Sequence, residues 1–254
     1  MSVCRRTLLV LGGTGEGRRL AERAVAEFGE RLQVITSLAG RTADPVPVAG
    51  TLRQGGFGGA AGLAAYLRDH KVDLLIDATH PFADQISRNA AQAAAVAGVP
   101  RLAIVRPPWR AQPGDRWIEV ADAPAAAEAV RPLGQRIWLT LGTADIEAFA
   151  TLTDHWFLVR RVDPPPEALP LRQAEILLAR GPFALADEKR ILAEYRIDAV
   201  VSRASGGAAT EAKLDAAREA GLPVVMIARP PPPAAPTVAT VDAALRWLHE
   251  HLGA

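Results

Sequence analysis

Gly12, Gly13, Thr14, Gly15, Glu16 and Gly17 form a turn between an apolar stretch at 7–11 and a segment carrying Leu20, Ala24, Val25 and Phe28 at near-helical spacing. Glycines let backbone N–H groups come close to a ligand, and a helix N-terminus concentrates positive partial charge. A strand, a glycine turn and a helix in that order therefore suit a pyrophosphate. Arg18 takes the place of the third glycine of a strict G-x-G-x-x-G, so the flanking strand and helix carry the reading as much as the turn does. The second strand, expected at 33–38, should end beside an adenosine ribose. An NAD site sets a carboxylate there. Here the chain reads Ser37-Leu38-Ala39-Gly40-Arg41-Thr42, and the next acid is Asp44. A hydroxyl and a guanidinium suit a 2′-phosphate, which arginine grips with paired charge-assisted hydrogen bonds. Ser37 and Arg41 thus predict an NADPH site.

Two more loops carry chemistry. Thr79-His80-Pro81-Phe82 follows an apolar strand that ends in Asp77. Histidine changes charge near neutral pH, so His80 suits hydrogen bonding to a coenzyme or donation of a proton; capping the next helix or bonding a backbone carbonyl is the alternative. Ser202-Arg203-Ala204-Ser205-Gly206-Gly207 precedes a helix bearing Lys213. Hydroxyls, backbone N–H groups and a cation at a helix start make an anion site, or else a glycine turn that only caps the helix. Arg106, Arg110, Arg160, Arg161 and Arg180 fall near strand ends or in a linker, and as a group they suit a substrate rich in carboxylates.

The elements that must position these loops repeat. Residues 72–108 and 197–231 each read as a buried strand, a polar loop, an alanine-rich helix, A-G-x-P, a second strand and Arg-Pro-Pro. The glycine ends each helix and the proline opens the following strand. Continuous apolar strands alternating with helices mean a parallel sheet covered on both faces. The predicted fold is α/β, two Rossmann-like doubly wound parallel-sheet halves with a cleft between them. The expected domains are 1–108, binding NADPH, and 109–254, binding the substrate. Residues 230–236 read as a stiff proline connector and 241–252 as a closing amphipathic helix.

Composition narrows the function. A chain of 254 residues with formal net charge +1 has no basic field for nucleic acid. Cys4 is the only cysteine, so neither an internal disulfide nor a multi-cysteine metal site forms, and no metal is expected. The apolar stretch after Arg5 and Arg6 is too short for a signal sequence, and no membrane partner is expected. The cytoplasm is the expected location. Tyr-x-x-x-Lys is missing, since Tyr66 is followed four residues on by His70 and Tyr195 by Ala199. There is no G-x-S-x-G, no H-E-x-x-H and no Walker P-loop. A reductase whose coenzyme carries the chemistry asks least of its side chains, which fits this inventory. A reductase of another acidic conjugated substrate and a non-catalytic NADP sensor are the alternatives.

Taken together, GGTGEGRRLA, the Ser37–Arg41 segment, DATHPFA, the LTLGT turn, GPF before a helix and SRASGGAATEAKLDAAREAGLPVVMIARP resemble the precorrin-6A reductase family, in order over nearly the whole chain. The resemblance implies NADPH-dependent reduction of one double bond of precorrin-6A to give precorrin-6B in cobalamin biosynthesis. It implies pyrophosphate binding at Gly13, Thr14 and Gly15, 2′-phosphate binding at Ser37 and Arg41, and Thr79, His80 and Pro81 beside the nicotinamide. Ser205, Gly206 and Lys213 would face the polycarboxylate tetrapyrrole. Monomer and homodimer both remain open, and neighbouring corrin-pathway enzymes are the candidate protein partners. One departure is that the family's Lys-Asp-Ser-Gly reads Arg203-Ala204-Ser205-Gly206, which keeps the charge and removes a carboxylate.

Overall fold

The computed structural model describes residues 5–40, 46–232 and 236–253. These form two compact units, Met1–Arg106 with Pro230–Ala254, and Pro107–Arg229. The first unit begins with β1 (Arg6–Leu11), α1 (Gly15–Phe28), β2 (Leu32–Leu38), β3 (Thr51–Gln54), α2 (Gly59–Asp69), β4 (Leu74–Asp77), α3 (Asp84–Ala97) and β5 (Arg101–Ile104). The second contains β6 (Arg116–Val120), α4 (Ala123–Val130), β7 (Arg136–Thr140), α5 (Thr143–Ile146), β8 (Trp156–Arg161), β9 (Ala174–Leu178), α6 (Leu185–Glu194), β10 (Ala199–Arg203), α7 (Ala212–Glu219) and β11 (Pro223–Ile227). The chain then returns to the first unit with β12 (Thr237–Val238) and α8 (Val241–Leu252).

The first sheet runs β3-β2-β1-β4-β5-β12, all parallel. That is the 3-2-1-4-5-6 order of dinucleotide-binding sheets, with the order reversing between β1 and β4. Leu8 and Val10 face one layer, where α1 and α8 pack; Leu9 and Leu11 face the other, with residues of α2 and α3. Burial on both faces is why these strands read as unbroken apolar runs.

The second sheet runs β9-β8-β7-β10-β11-β6, also all parallel. With β7 taken as its first strand, the same 3-2-1-4-5 core recurs, but β6, which precedes that core in the chain, fills the sixth position. The two units have therefore exchanged their sixth strands. After β5, Arg106-Pro107-Pro108 leads to β6 beside β11; after β11, Arg229-Pro230-Pro231 leads back to β12 beside β5. The repeat continues past each crossover. Asp122 caps α4 by accepting from Ala125 N at 2.9 Å, and Thr240 caps α8 by accepting from Ala243 N at 3.2 Å.

This exchange corrects the expected division at residue 109, because 230–254 belong to the first unit. Two forces bring them back. The open edge of β5 is satisfied by Ala103 N donating to Pro236 O at 3.0 Å and Val105 N to Val238 O at 2.8 Å. The stripe Ala244, Leu245 and Leu248 of α8 is buried with Leu20, Ala24 and Phe28 of α1. The expected connector at 230–236 includes 233–235, which lie outside the described residues.

Candidate functional site

Because chain order reverses between β1 and β4, a crevice opens at the carboxyl ends of these strands. Register sets a row of residues across that end of the sheet. Arg53 lies beside Ser37, Ser37 beside Leu11, Leu11 beside Asp77, and Asp77 beside Ala103.

The glycines of the first turn divide into two kinds. A Cβ at Gly12 would come within 3.0 Å of Leu38 and Thr36 side chains, and one at Gly17 within 3.2 Å of Ala78, so these two let strand and helix pack. Gly13, at φ +115, and Gly15 are exposed, with no described residue within 4 Å of a Cβ built on either. Their backbone is the part a ligand can approach. Thr14 caps α1, accepting from Gly17 N at 3.1 Å. Its hydroxyl donates to Ala78 O at 2.7 Å, which ties the turn to the end of β4. With the Gly17 amide taken by Thr14, the amides at the start of α1 that have no intrahelical acceptor are those before it, and with exposed Gly13 and Gly15 they make an anion cradle. The cradle, the open backbone and the strand order fit a dinucleotide.

Thr14, Glu16, Thr79, Pro81, Ile104 and Arg106 line the crevice. Arg106, expected on the substrate side, stands in this unit and pairs with Glu16 at 3.2 Å. Burial pushes the Arg106 guanidinium below its ordinary pKa, and Glu16 opposes that shift. The other Glu16 oxygen faces Arg19 at 3.6 Å, so the acid at the start of α1 sits between two cations.

The loop after β4 is held by Asp77, which the residue types alone left without a role. Buried Asp77 accepts from Thr79 N at 3.1 Å and from the Thr79 hydroxyl at 2.7 Å. Thr79 Oγ1 also lies 3.2 Å from Ser87 Oγ on α3. His80 Nδ1 accepts from Phe82 N at 3.2 Å, a bond that calls for the neutral ring with its proton on Nε2. The signal for this network is an aspartate at a strand end with threonine two residues on.

At the tip of β2, Gly12 N donates to Ser37 O and Gly55 N to Leu38 O, each at 2.9 Å. The Ser37 side chain is buried, and its Oγ accepts from Arg53 Nη1 at 3.2 Å. Arg41, expected to act beside Ser37, lies outside the described residues.

In the second unit, Arg161 and Arg203 gather at the turn after β7, the topological counterpart of the Gly12–Gly17 turn. Arg161 Nη1 donates to Thr143 Oγ1 at 2.9 Å. Arg203 holds Asp145 through Nε at 2.6 Å and Nη2 at 2.5 Å, and a Cβ at Gly142 would lie 3.1 Å from its guanidinium. Other expected residues are used for packing. Lys213 is buried, donates to Thr210 O at 2.8 Å and lies 4.7 Å from the Trp109 ring centre. Gly206, at φ +67, is pressed against Pro107, where an added Cβ would stand 2.1 Å from the carbonyl oxygen. Ser205 is buried beside it, and Arg229 Nε donates to Ala204 O at 3.0 Å. The loop thus grips the chain where it enters and leaves this unit. It does not open α7 as expected: a 3-10 turn at Ala208–Thr210 intervenes before α7 starts at Ala212. Arg160 is buried against Glu188 at 2.6 Å, while Arg110 and Arg180 are exposed.

Residues 7–249 match the family model described as Precorrin-6x reductase CbiJ/CobK. The chain is 51% identical to Precorrin-6A reductase of Rhodococcus erythropolis, over 95% of this chain and 96% of that one. It is 46% identical to Precorrin-6A reductase of Rhodobacter capsulatus, over 96% of each. Cobalt-precorrin-6A reductase of Salmonella typhimurium is more distant, at 29% identity over 89% of this chain and 88% of its own length. The solved structure of CobK precorrin-6A reductase superposes with a TM-score of 0.91 at 45% identity, covering 97% of both chains.

Proposed function

This chain belongs to the precorrin-6x reductase CbiJ/CobK family, and we propose that it reduces one double bond of precorrin-6A, giving precorrin-6B, with NADPH held by the first unit. The observation that carries the reading is an open glycine turn at the switch point of a 3-2-1-4-5-6 sheet, in a chain that matches precorrin-6A reductases almost end to end. The greater identity to relatives named for precorrin-6A than to those named for cobalt-precorrin-6A supports the macrocycle without cobalt as substrate. A cytoplasmic location goes with a soluble coenzyme and a soluble precursor.

NADPH supplies the hydride. Gly12, Gly13, Thr14, Gly15 and Glu16 form the turn that receives its phosphates, and Ser37 and Arg41 are assigned to the 2′-phosphate. Thr79, His80 and Pro81 flank the reacting end. Asp77 keeps that loop fixed by taking both Thr79 donors. His80 is the candidate to protonate the carbon next to the reduced position, donating from the imidazolium it forms on taking a proton from solvent, a form in which Nδ1 no longer accepts from Phe82 N. Arg106, at the crevice wall, is assigned to the substrate. Arg110, Arg161 and Arg203 of the second unit hold acetate and propionate carboxylates, in the loop framework that Ser205, Gly206 and Lys213 build.

Isotope transfer tests this directly. With NADPH deuterated at the transferred position, the product should gain one deuterium on carbon; in deuterated water with ordinary NADPH, it should gain one from solvent. A reduced product without coenzyme-derived label would contradict the reading.

A further inference from the structure

Coenzyme discrimination has a candidate residue outside the segment that follows β2. We propose that Arg53, at the end of β3, is a further residue by which this chain tells a 2′-phosphorylated dinucleotide from one without that phosphate; the proposal rests on the coenzyme reading above. In a sheet of this order the adenosine ribose lies at the tip of β2, where an NAD site presents a carboxylate. Here the tip is Ser37, and Arg53 is its register partner on β3. Arg53 Nη1 donates to Ser37 Oγ at 3.2 Å, so a guanidinium stands where the opposite charge would mark an NAD site.

That guanidinium is held in advance. Nη1 donates to Gly55 O at 2.6 Å and Nη2 to Gly56 O at 2.9 Å. Its central carbon lies 3.7 Å from the centre of the Phe57 ring and 5.1 Å from that of Tyr66. Ring and carbonyls fix the plane of the charge, so less side-chain entropy is lost when an anion docks. Among the described residues no carboxylate pairs with Arg53, whereas Arg19 and Arg106 share Glu16. Backbone bonds carry the arrangement to the phosphate turn: Gly55 N to Leu38 O on one side of β2, Gly12 N to Ser37 O on the other.

A brace for the Gly55-Gly56 turn would use the same hydrogen bonds, and ligand selectivity separates the two roles. Dissociation constants for NADP⁺ and NAD⁺ are measured by calorimetry on the full chain and on Arg53→Leu, Arg53→Gln and Arg53→Lys, with thermal midpoints as a folding control. Arg53→Leu should weaken NADP⁺ about ten- to a hundredfold, the scale of a lost charged hydrogen bond, and leave NAD⁺ nearly unchanged. Arg53→Lys should recover part of the preference. Should Arg53→Leu fail to fold, Arg53→Gln must show the same selective loss. Equal weakening of both ligands, or an unchanged preference, overturns the role of Arg53 alone. A wild-type chain that does not prefer NADP⁺ removes the coenzyme assignment itself, and Arg53's role with it.

Discussion

The hydroxyl of Thr14 donates to the carbonyl of Ala78 at 2.7 Å while accepting from the amide of Gly17, so one side chain both caps α1 and joins the ends of β1 and β4. Thr14→Ala removes the cap and strands the Ala78 carbonyl. It should cost about 1–2 kcal/mol in chemical denaturation and weaken coenzyme binding. Thr14→Ser should stay close to the parent in both measurements.

Gly15 separates folding from binding at the same turn. No described residue lies within 4 Å of a Cβ placed there and its φ is ordinary for a helix start, so Gly15→Ala should leave the thermal midpoint unchanged or slightly higher. The added methyl would stand where backbone must meet pyrophosphate. Titration of the folded variant should show NADP⁺ binding weakened about tenfold or more, on the scale of a lost close approach.

Glu188 is fully buried and its Oε1 accepts from Arg160 at 2.6 Å, with Trp138 and Phe183 rings over the guanidinium. Burial lowers the Arg160 pKa and Glu188 opposes that fall. Glu188→Ala would leave an uncompensated buried cation, a loss of about 3–5 kcal/mol. Replacing both members by leucine and methionine should recover much of it, as the denaturation midpoints of the single and double variants will show.

His80 takes Phe82 N on Nδ1, which assigns its proton to Nε2. His80→Ala should lower kcat about a hundredfold, within the range for a lost general acid, with a small change in KM for NADPH. Full turnover in steady-state assays of that variant would take His80 out of the proton transfer.

The parallel halves, the glycine turn and the closing helix α8 were legible because they rest on local patterns: unbroken apolar strands, a turn between strand and helix, a stripe at helical spacing. The strand exchange was not. β12 is only Thr237–Val238, too short for periodicity, and its partner is chosen by the open edge of β5, more than a hundred residues earlier. β3 escaped notice as a short, largely exposed edge strand, and α2 because it follows the glycines at 55–59. The arginine of the site most hidden by this was Arg53. At Ser205, Gly206 and Lys213 residue type suited an anion loop and gave no sign that all three are buried around the chain crossovers.

Coupled turnover is the sharpest check on NADPH-dependent reduction of precorrin-6A by this chain. The purified chain is mixed with precorrin-6A and either NADPH or NADH, and nicotinamide absorbance and the pigment spectrum are followed together. NADPH should be consumed in equal amount with pigment conversion, and NADH should react far more slowly at the same concentration. Unchanged pigment with NADPH, or equal rates with the two coenzymes, would contradict it.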